Sequence, residues 1–236
     1  MCGRYTLADA PKLFERFRVP RDIIDATDRY NVAPIQQMPV IVHASDNAPG
    51  ENRLTLMEWG LVPSWSKDPS KAGFINARIE GILSKPSFRG PIRKRRCLVP
   101  ADGFYEWKKE KTAGKLHKVP WLIRRKDHDL FAFAGIYDEW HGEGGEVMET
   151  YAILTTEPNE LMRPIHDRMP VILRPDRESA WLETPGGKIE ELIEQLSVPY
   201  PAGELEAHVV STRVNSPTND SPDLFSEDRK STRLNS

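Results

Sequence analysis

The chain has 236 residues, of which 39% are hydrophobic and 29% charged, and its formal net charge at pH 7 is −2. This composition indicates a soluble globular protein and excludes nucleic-acid binding by overall basicity, so any such binding needs a local basic patch. The sequence lacks a secretory signal, a disulfide framework and any apolar run near the roughly 18 residues of a membrane span. We therefore expect a cytoplasmic protein without membrane association.

The first predicted element is a short helix, because Ala10, Leu13, Phe14 and Phe17 recur at helical spacing before Pro20. Short β-type runs separated by turn residues predict strands at 39–44, 53–59, 95–109 with a turn at 100–103, 119–125, 130–140, 148–156, 169–173 and 206–214. Apolar residues at helical spacing predict further helices at 76–83, 176–183 and 186–196.

Strands outnumber helices and do not alternate with them, which predicts an α+β fold with a mostly antiparallel, curled sheet. No repeat or composition break divides the chain, so we expect one domain at residues 1–222 and a tail at 223–236. Within the tail, "DRKSTRLNS" at 228–236 is spelled by the codons GAT CGG AAG AGC ACA CGT CTG AAC TCC, one of the possible codon choices, which reads like a sequencing-adapter oligonucleotide. We expect that stretch to be a read-through artefact and exclude it from fold reasoning.

Cys2 is the most informative single position, because removal of Met1 would make it the N-terminal residue. Its α-amine would have a pKa of about 7.7–8.0, which leaves roughly 10–17% neutral at pH 7, against about 0.04% for a lysine. Such an amine attacks an aldehyde to give an imine, and the adjacent thiol can then close a five-membered thiazolidine ring. The position alone leaves open that Cys2 is a terminal residue with no role.

Two side chains could supply the proton transfers that this chemistry needs. Glu106 lies among Phe104, Tyr105 and Trp107, where partial desolvation would raise its pKa and suit acid–base catalysis. The alternative is a strand glutamate that faces water. His166, in "RPIHDRMPVIL", can transfer protons at neutral pH, or it can be an ordinary loop histidine.

Asn76 could orient the terminus or a sugar hydroxyl, and Arg78 could bind a phosphate, although Asn76 is also suited to cap a helix. Aromatic and basic residues in "WGLVPSW" and "SKPSFRGPIRKRR" are typical of a groove for single-stranded nucleic acid, with core tryptophans and a solvated basic face as alternatives. Arg95 and Arg96 cannot both face one groove if they lie on a strand. The histidines and cysteines lack metal-ligand spacing, so we expect no metal and no cofactor.

About ten blocks follow one another from Met1 to about Asp220: "MCGRY", "NVAP", "WGLVPSW", "NAR.E", "KPSFR", "RRCLVPADGFYEW", "FAGIYD", "LTT..N", "IHDRMPVIL" and "VNSP.ND". By these blocks the chain resembles the SOS-response-associated peptidase (SRAP) family, the abasic-site processing proteins. The resemblance implies a single α+β domain with a β-barrel-like core and a basic cleft for single-stranded DNA. It also implies that Met1 is removed and that Cys2 forms a thiazolidine crosslink with the ring-opened aldehyde of an abasic site.

The resemblance implies catalytic roles for Cys2, Asn76, Glu106 and His166. Asn76 would position the amine or the sugar, Glu106 would transfer protons, and His166 would help to open the deoxyribose ring. DNA contacts are implied for Arg4, Arg78 and Arg168 at phosphates and, less specifically, for Trp65, Trp107, Lys85 and Arg89. The protein would act in the DNA damage response as a monomer at the bacterial nucleoid, with autopeptidase and lyase activities and with its replication-fork partners unknown.

Two other functions remain open at this stage. An N-terminal cysteine could instead be the nucleophile of an amidohydrolase or peptidase that acts on external substrates. Alternatively, the chain could be a non-catalytic reader of modified bases or single strands, which would not need Met1 to be removed.

Overall fold

The computed structural model describes residues 2–20, 26–43, 52–71, 73–112 and 114–228. The strands in these ranges are β1 Arg4–Leu7, β2 Arg29–Val32, β3 Gln37–His43, β4 Asn52–Trp59, β5 Asn76–Arg78, β6 Arg96–Ala101, β7 Gly103–Thr112, β8 Lys115–Arg125, β9 Phe131–His141, β10 Val147–Thr156, β11 Met169–Pro170, β12 Ile172–Leu173 and β13 Leu205–Val209. The helices are α1 Leu13–Arg16, α2 Pro91–Lys94, α3 Pro175–Glu183 and α4 Ile189–Leu196, with 3₁₀ turns at Ala10–Lys12, Pro69–Lys71, Gly186–Lys188, Ala202–Glu204, Thr212–Asn215 and Pro222–Phe225.

Five strands close into a barrel in the order β10-β4-β3-β6-β9, and β9 pairs back with β10. All the pairings in this ring are antiparallel except β4 with β10, which is parallel. Each of these strands is therefore paired on both sides, which satisfies backbone groups that an open sheet edge would expose. The predicted α+β class and the barrel-like core of mostly antiparallel strands are confirmed.

A second, antiparallel sheet of order β13-β8-β7-β1-β2 packs against the barrel. Tyr5 of β1 lies between the two sheets: its hydroxyl is 2.8 Å from that of Tyr151, and its ring meets the ring of Trp59 edge-on at 5.1 Å between centroids. All three side chains are fully buried. Buried aromatic rings pack in specific geometries, and their hydroxyl groups need hydrogen-bond partners. These contacts therefore set the position of the second sheet on the barrel and hold β1 against it.

Several sequence predictions are confirmed. The hairpin predicted at 39–44 and 53–59 is formed by β3 and β4, although residues 44–51 lie outside the described ranges. The helix predicted at 186–196 is α4 with the preceding 3₁₀ turn, and its apolar face is buried at Ile189, Leu192, Ile193 and Leu196. Cys97, whose sequence context predicts a buried thiol, has no exposed surface.

The helix predicted at 76–83 is wrong, because Asn76–Arg78 is the strand β5, and turns follow it. β5 pairs in parallel with β10 at Ile153, just beyond the point where β4 pairs with Tyr151. The segment therefore takes over backbone hydrogen bonds that β4 leaves free. Ala77 and Ile79 are buried while Arg78 is exposed, and this period-two pattern belongs to a half-buried strand.

The described chain continues to pack against the domain beyond residue 222, the predicted end of the domain. Leu224 is buried in a cluster with Tyr105 and Leu122, and Val210 forms a β-bridge with Glu227. Of the stretch read as adapter-derived, only Asp228 falls within the described residues; 229–236 lie outside them. Among the described residues, no helix has the length and apolar content needed to cross a membrane.

The barrel wall is tightest at Gly135 of β9, which lies opposite Cys97 of β6. A Cβ atom at this position would lie 2.7 Å from the Cys97 sulfur and 2.9 Å from a methyl carbon of Val99. Overpacking of this kind costs about 1–3 kcal/mol, and each kcal/mol lowers the Tm of a domain this size by roughly 2–4 °C. We therefore expect Gly135→Ala to lower the Tm by roughly 2–12 °C in thermal unfolding.

Gly187→Ala is the matched control, since a Cβ there meets no atom within 4 Å. The control should unfold within about a degree of the wild type, in keeping with the small effect of unstrained glycine replacements. An equal Tm for both variants would show that the barrel wall can widen at Gly135.

Candidate active site

Cys2 comes to the site because β1 pairs with β7. Arg4 lies opposite Tyr105 in this antiparallel ladder, so Cys2, just before β1, is level with the next residues of β7, Glu106 among them. The carbonyl oxygen of Cys2 accepts a 2.8 Å hydrogen bond from the side-chain amide of Asn76 on β5. The chain start is thus held between the two sheets, and Cys2 has no exposed surface.

The thiol of Cys2 is neutral at physiological pH. Burial raises its pKa far above the ordinary value, and the negative charge of Glu106 raises it further. The influence of Glu106 on this thiol shows that the carboxyl group and the sulfur are electrostatic neighbours. A thiol in this state needs a base to accept its proton before or as it attacks carbon.

Glu106 is the neighbouring carboxyl group, with only 2% of its surface exposed. Burial raises the pKa of its carboxyl group from the ordinary 4.5 to about 7. Near neutral pH the protonated and ionised forms are therefore both populated, so the group can both donate and accept a proton. The structure agrees with the prediction that aromatic neighbours desolvate Glu106 and disagrees with the alternative that it faces water.

His166 faces Glu106 from the loop between β10 and β11, with its Nε2 atom 3.9 Å from Glu106 Oε2. Its Nδ1 atom has two polar neighbours. The backbone N–H of Arg168, at 3.1 Å, can only donate a hydrogen bond, and a carboxylate oxygen of the exposed Asp167, at 2.8 Å, can only accept one. The pKa of His166 is lowered, mainly by burial, so the neutral ring prevails at pH 7. In the tautomer with its proton on Nε2, Nδ1 accepts from Arg168 and the N–H faces Glu106; in the other tautomer, Nδ1 donates to Asp167.

The histidine loop is anchored by Arg168. The guanidinium group donates to both carboxylate oxygens of Glu80 at 2.9 and 2.7 Å, and to the carbonyl oxygen of Thr155 at 2.6 Å. Paired, parallel hydrogen bonds of this kind hold both partners in one orientation. Arg168 is therefore placed to hold the His166 loop; the phosphate contact implied by the resemblance stays a prediction.

Arg4 and Trp107 hold the turn Thr212–Asn215 as one wall of the site. Arg4 donates to the carbonyl oxygens of Val214 at 2.7 Å and Asn215 at 3.1 Å. The indole N–H of Trp107 donates to the side-chain oxygen of Asn215 at 2.8 Å. A phosphate at Arg4 would have to share the guanidinium group with these carbonyls, so a DNA contact there also stays a prediction.

Two of the catalytic candidates, Glu106 and His166, open onto a cleft of about 400 Å³, whereas the buried Cys2 is not among its lining residues. It is lined by Glu106, Trp107, Lys109, Lys118, His166 and Asn215. Three of these, Lys109, Lys118 and Asn215, have no role in the sequence predictions. Strand alternation in "WKKEK" places Lys109 on the same face as Trp107 and was the available signal.

The other predicted DNA contacts lie apart from that cleft. Trp65, which is 62% exposed, and Arg89 line a second cavity of about 490 Å³ together with Arg95. Lys85 and Arg78 are exposed. Neighbouring Arg96 is buried and donates to backbone carbonyls at the ends of α2 and α3. The two arginines do not share one surface, but Arg95 closes α2 and only Arg96 lies on β6, so strand alternation is not the reason.

Across the described ranges, no three His, Cys, Asp or Glu side chains are grouped as a metal site would require. Within the described residues the site contains a buried thiol, an amide that holds the backbone beside it, and a carboxyl–imidazole pair that lines a cleft. This is the arrangement of a cysteine site at which protons are transferred over short distances.

Comparison with known proteins places the chain in a family. The model of the SOS response associated peptidase (SRAP) family matches residues 1–217, and the chain belongs to this family. It is 44% identical over 232 residues to the abasic site processing protein YoqW of Bacillus subtilis, an alignment that covers 95% of this chain and 99% of that protein. It is 38% identical over 225 residues to the abasic site processing protein HMCES of Gallus gallus, with 83% and 65% covered.

Solved structures show the same fold. A crystal structure of a protein from Bacteroides thetaiotaomicron superposes with a TM-score of 0.83 at 30% sequence identity, and the match covers 96% of this chain and 99% of that one. The barrel and the second sheet are thus shared with an experimentally determined relative.

The raised pKa of Glu106 makes stability depend on pH. The pKa of Glu106 in the folded protein, about 7, lies above its ordinary value of 4.5, so the folded state binds the proton more tightly than the unfolded state. The resulting stabilisation of the fold is fully present below pH 4.5 and is lost as the pH rises to about 7. Glu106→Gln keeps the shape without the charge. We expect both proteins to have similar Tm values at pH 5 and the variant to be more stable at pH 8 in matched thermal melts.

All other titrating groups are common to both proteins, so the change in the Tm difference with pH isolates Glu106. A Tm difference that stays constant from pH 5 to pH 8 would mean that the folded-state pKa of Glu106 is not raised.

Proposed function

We propose that this chain processes abasic sites in single-stranded DNA by bonding to them covalently through Cys2, once Met1 has been removed. The observation that supports this most directly is the meeting of Glu106 and His166 at one cleft, beside a buried Cys2 whose carbonyl oxygen accepts a hydrogen bond from Asn76. Relatives across most of the chain bear the name abasic site processing protein. These names do not state the removal of Met1, the single-stranded substrate or the covalent bond through Cys2, which are the parts that we propose.

Removal of Met1 creates the nucleophile. The freed α-amine of Cys2 has a pKa of about 7.7–8.0, so a substantial share is uncharged at neutral pH. The buried thiol beside it stays protonated. The amine is therefore the group that attacks first, and the sulfur follows.

The sugar must present an aldehyde before it can react. A deoxyribose without its base exists mainly as a closed hemiacetal, whose ring opens when the ring oxygen gains a proton and the anomeric hydroxyl loses one. In the tautomer in which Nδ1 accepts from Arg168, neutral His166 carries its proton on Nε2, the nitrogen that faces Glu106. His166 can thus donate to the ring oxygen while Glu106, in its ionised form, accepts the hydroxyl proton.

Bond formation then proceeds in two balanced steps. The amine adds to the aldehyde carbon while one of its protons passes to the oxygen, and the resulting hydroxyl group takes the proton of Glu106 and leaves as water, which gives a protonated imine. The thiol next adds to the imine carbon and its proton passes to the Glu106 carboxylate, so that the ring nitrogen is neutral and Glu106 is protonated again. A C–N and a C–S bond have formed, the carbonyl oxygen has left as one water molecule, and the ring is a thiazolidine.

Asn76 supports this chemistry from the other side. Its amide nitrogen holds the Cys2 carbonyl, while its buried oxygen has no hydrogen-bond partner among the described residues. A buried acceptor without a partner is costly. The N–H groups of the freed amine, or a hydroxyl of the sugar, would satisfy it and so favour the reactive placement.

The single-stranded form of the substrate fits the exposed residues around the site. Trp65 can stack on a base, and exposed cations such as Arg78, Lys85 and Arg89 can neutralise phosphates. An abasic sugar in a single strand also needs no base pair to be broken before it enters a cleft.

Replacement of Cys2 by alanine separates formation of the C–N bond from formation of the C–S bond. We expect Cys2→Ala to form no stable adduct with an abasic oligonucleotide, yet to be trapped by borohydride, because the terminal amine of alanine still forms an imine. The wild type should give a band on a denaturing gel without reductant, with a mass equal to protein plus DNA minus one water. Intact mass spectrometry checks that Met1 is absent from both proteins.

Cys2→Ser is the matched control, since its hydroxyl can close only a more readily reversed oxazolidine. An undiminished band from Cys2→Ala without reductant would contradict the proposal. Turnover of amide substrates without any aldehyde adduct would favour an external amidohydrolase, and binding by a protein that keeps Met1 would favour a non-catalytic reader.

The two proton carriers should be distinguishable by substrate. We expect His166→Ala to slow crosslinking to an abasic oligonucleotide by about 10²-fold or more, the usual range for general acid–base catalysis. The same variant should react normally with glyceraldehyde, which has no sugar ring to open. Glu106→Ala should slow both reactions, as followed by mass spectrometry over time.

Equal slowing of both reactions by His166→Ala would assign His166 to imine or ring closure instead of ring opening. Circular dichroism at the assay temperature serves as the control for folding of each variant.

A further inference from the structure

The cleft extends beyond the catalytic candidates onto the β7–β8 hairpin. There Lys109 and Lys118 lie directly opposite each other in the ladder, and both line the cleft with Trp107 and Asn215. Cβ atoms of residues paired in this way are about 4.5–5.5 Å apart. Two long, flexible ammonium side chains so placed can reach the same small group from opposite sides.

Their charges are not balanced by the protein. Within the described part of the chain, neither Lys109 nor Lys118 forms a salt bridge, whereas the adjacent Lys108 pairs with Glu110 at 2.9 Å. Like charges directly opposite on a sheet are destabilising. The cleft therefore holds a concentration of positive charge that an anion would relieve.

This charge lies close to the reacting groups. The positive charge of Lys109 contributes to the lowered pKa of His166, and both residues line the same cleft. An anion bound at the lysine pair would therefore share the cleft with whatever molecule contacts Glu106 and His166.

We propose that Lys109 and Lys118 form a subsite for one backbone phosphate of the DNA strand, next to the abasic sugar that reacts with Cys2. The inference rests on the proposed function and adds a binding site to it. A phosphate oxygen is a strong acceptor for two ammonium groups, each of which has three N–H donors. The subsite would draw the strand along the hairpin face and set the register of the sugar.

Binding and chemistry can be tested separately with Lys109→Gln/Lys118→Gln. The control is Lys126→Gln/Lys188→Gln, which removes the same charge from exposed positions that do not line the cleft. Non-covalent binding of a single-stranded oligonucleotide without abasic sites is measured between 50 and 200 mM salt. Loss of one phosphate contact should lower the salt slope of log Kd by about 0.7, so the wild-type advantage should shrink roughly two- to threefold over this range.

The second arm uses glyceraldehyde, an aldehyde without phosphate and without a sugar ring for His166 to open. We expect the cleft variant to form this adduct at the wild-type rate while it crosslinks the abasic oligonucleotide more slowly than the control variant. A salt slope equal to that of the control, or equal slowing with glyceraldehyde, would overturn the subsite. If the wild type formed no adduct with either substrate, the proposed function would fail, and the salt slope would still decide the role of the lysines.

Discussion

The pairing of β1 with β7 is the interaction on which the site depends. It fixes the start of the chain, a segment that usually frays, level with Glu106 in the middle of a sheet. Tyr5 strengthens this placement from the opposite face by its contacts with Trp59 and Tyr151 in the barrel. A terminal residue is thereby given the rigidity of a core residue, which is what short-range chemistry requires.

Burial is the second determinant, and it affects the thiol and the carboxyl group in the same direction. Both Cys2 and Glu106 have raised pKa values because the protein removes water from their charged forms. The thiol stays protonated, while the carboxyl group moves into the range where it can exchange protons at neutral pH. One environmental effect thus changes the protonation behaviour of both groups.

Cations around the site divide into two kinds. Arg4 and Arg168 use their guanidinium groups on backbone carbonyls and, for Arg168, on the Glu80 carboxylate, so they organise the walls of the site. Lys109 and Lys118 have no such protein partners in the described residues. Arginine suits the first task because its planar fork holds several acceptors at once, whereas flexible lysines adapt to a ligand that arrives later.

The sequence by itself determined the α+β class, most strands, the amphipathic helix α4 and the identity of the chemical groups, because periodicity and residue type are local properties. It misassigned Asn76 to a helix, since only the parallel pairing with β10 makes that segment a strand. It also could not show that Arg4 and Arg168 are engaged by carbonyls, or that Lys109 faces Lys118. Tertiary structure decided these points, because they depend on which distant segments meet, and long-range pairing leaves little trace in local pattern.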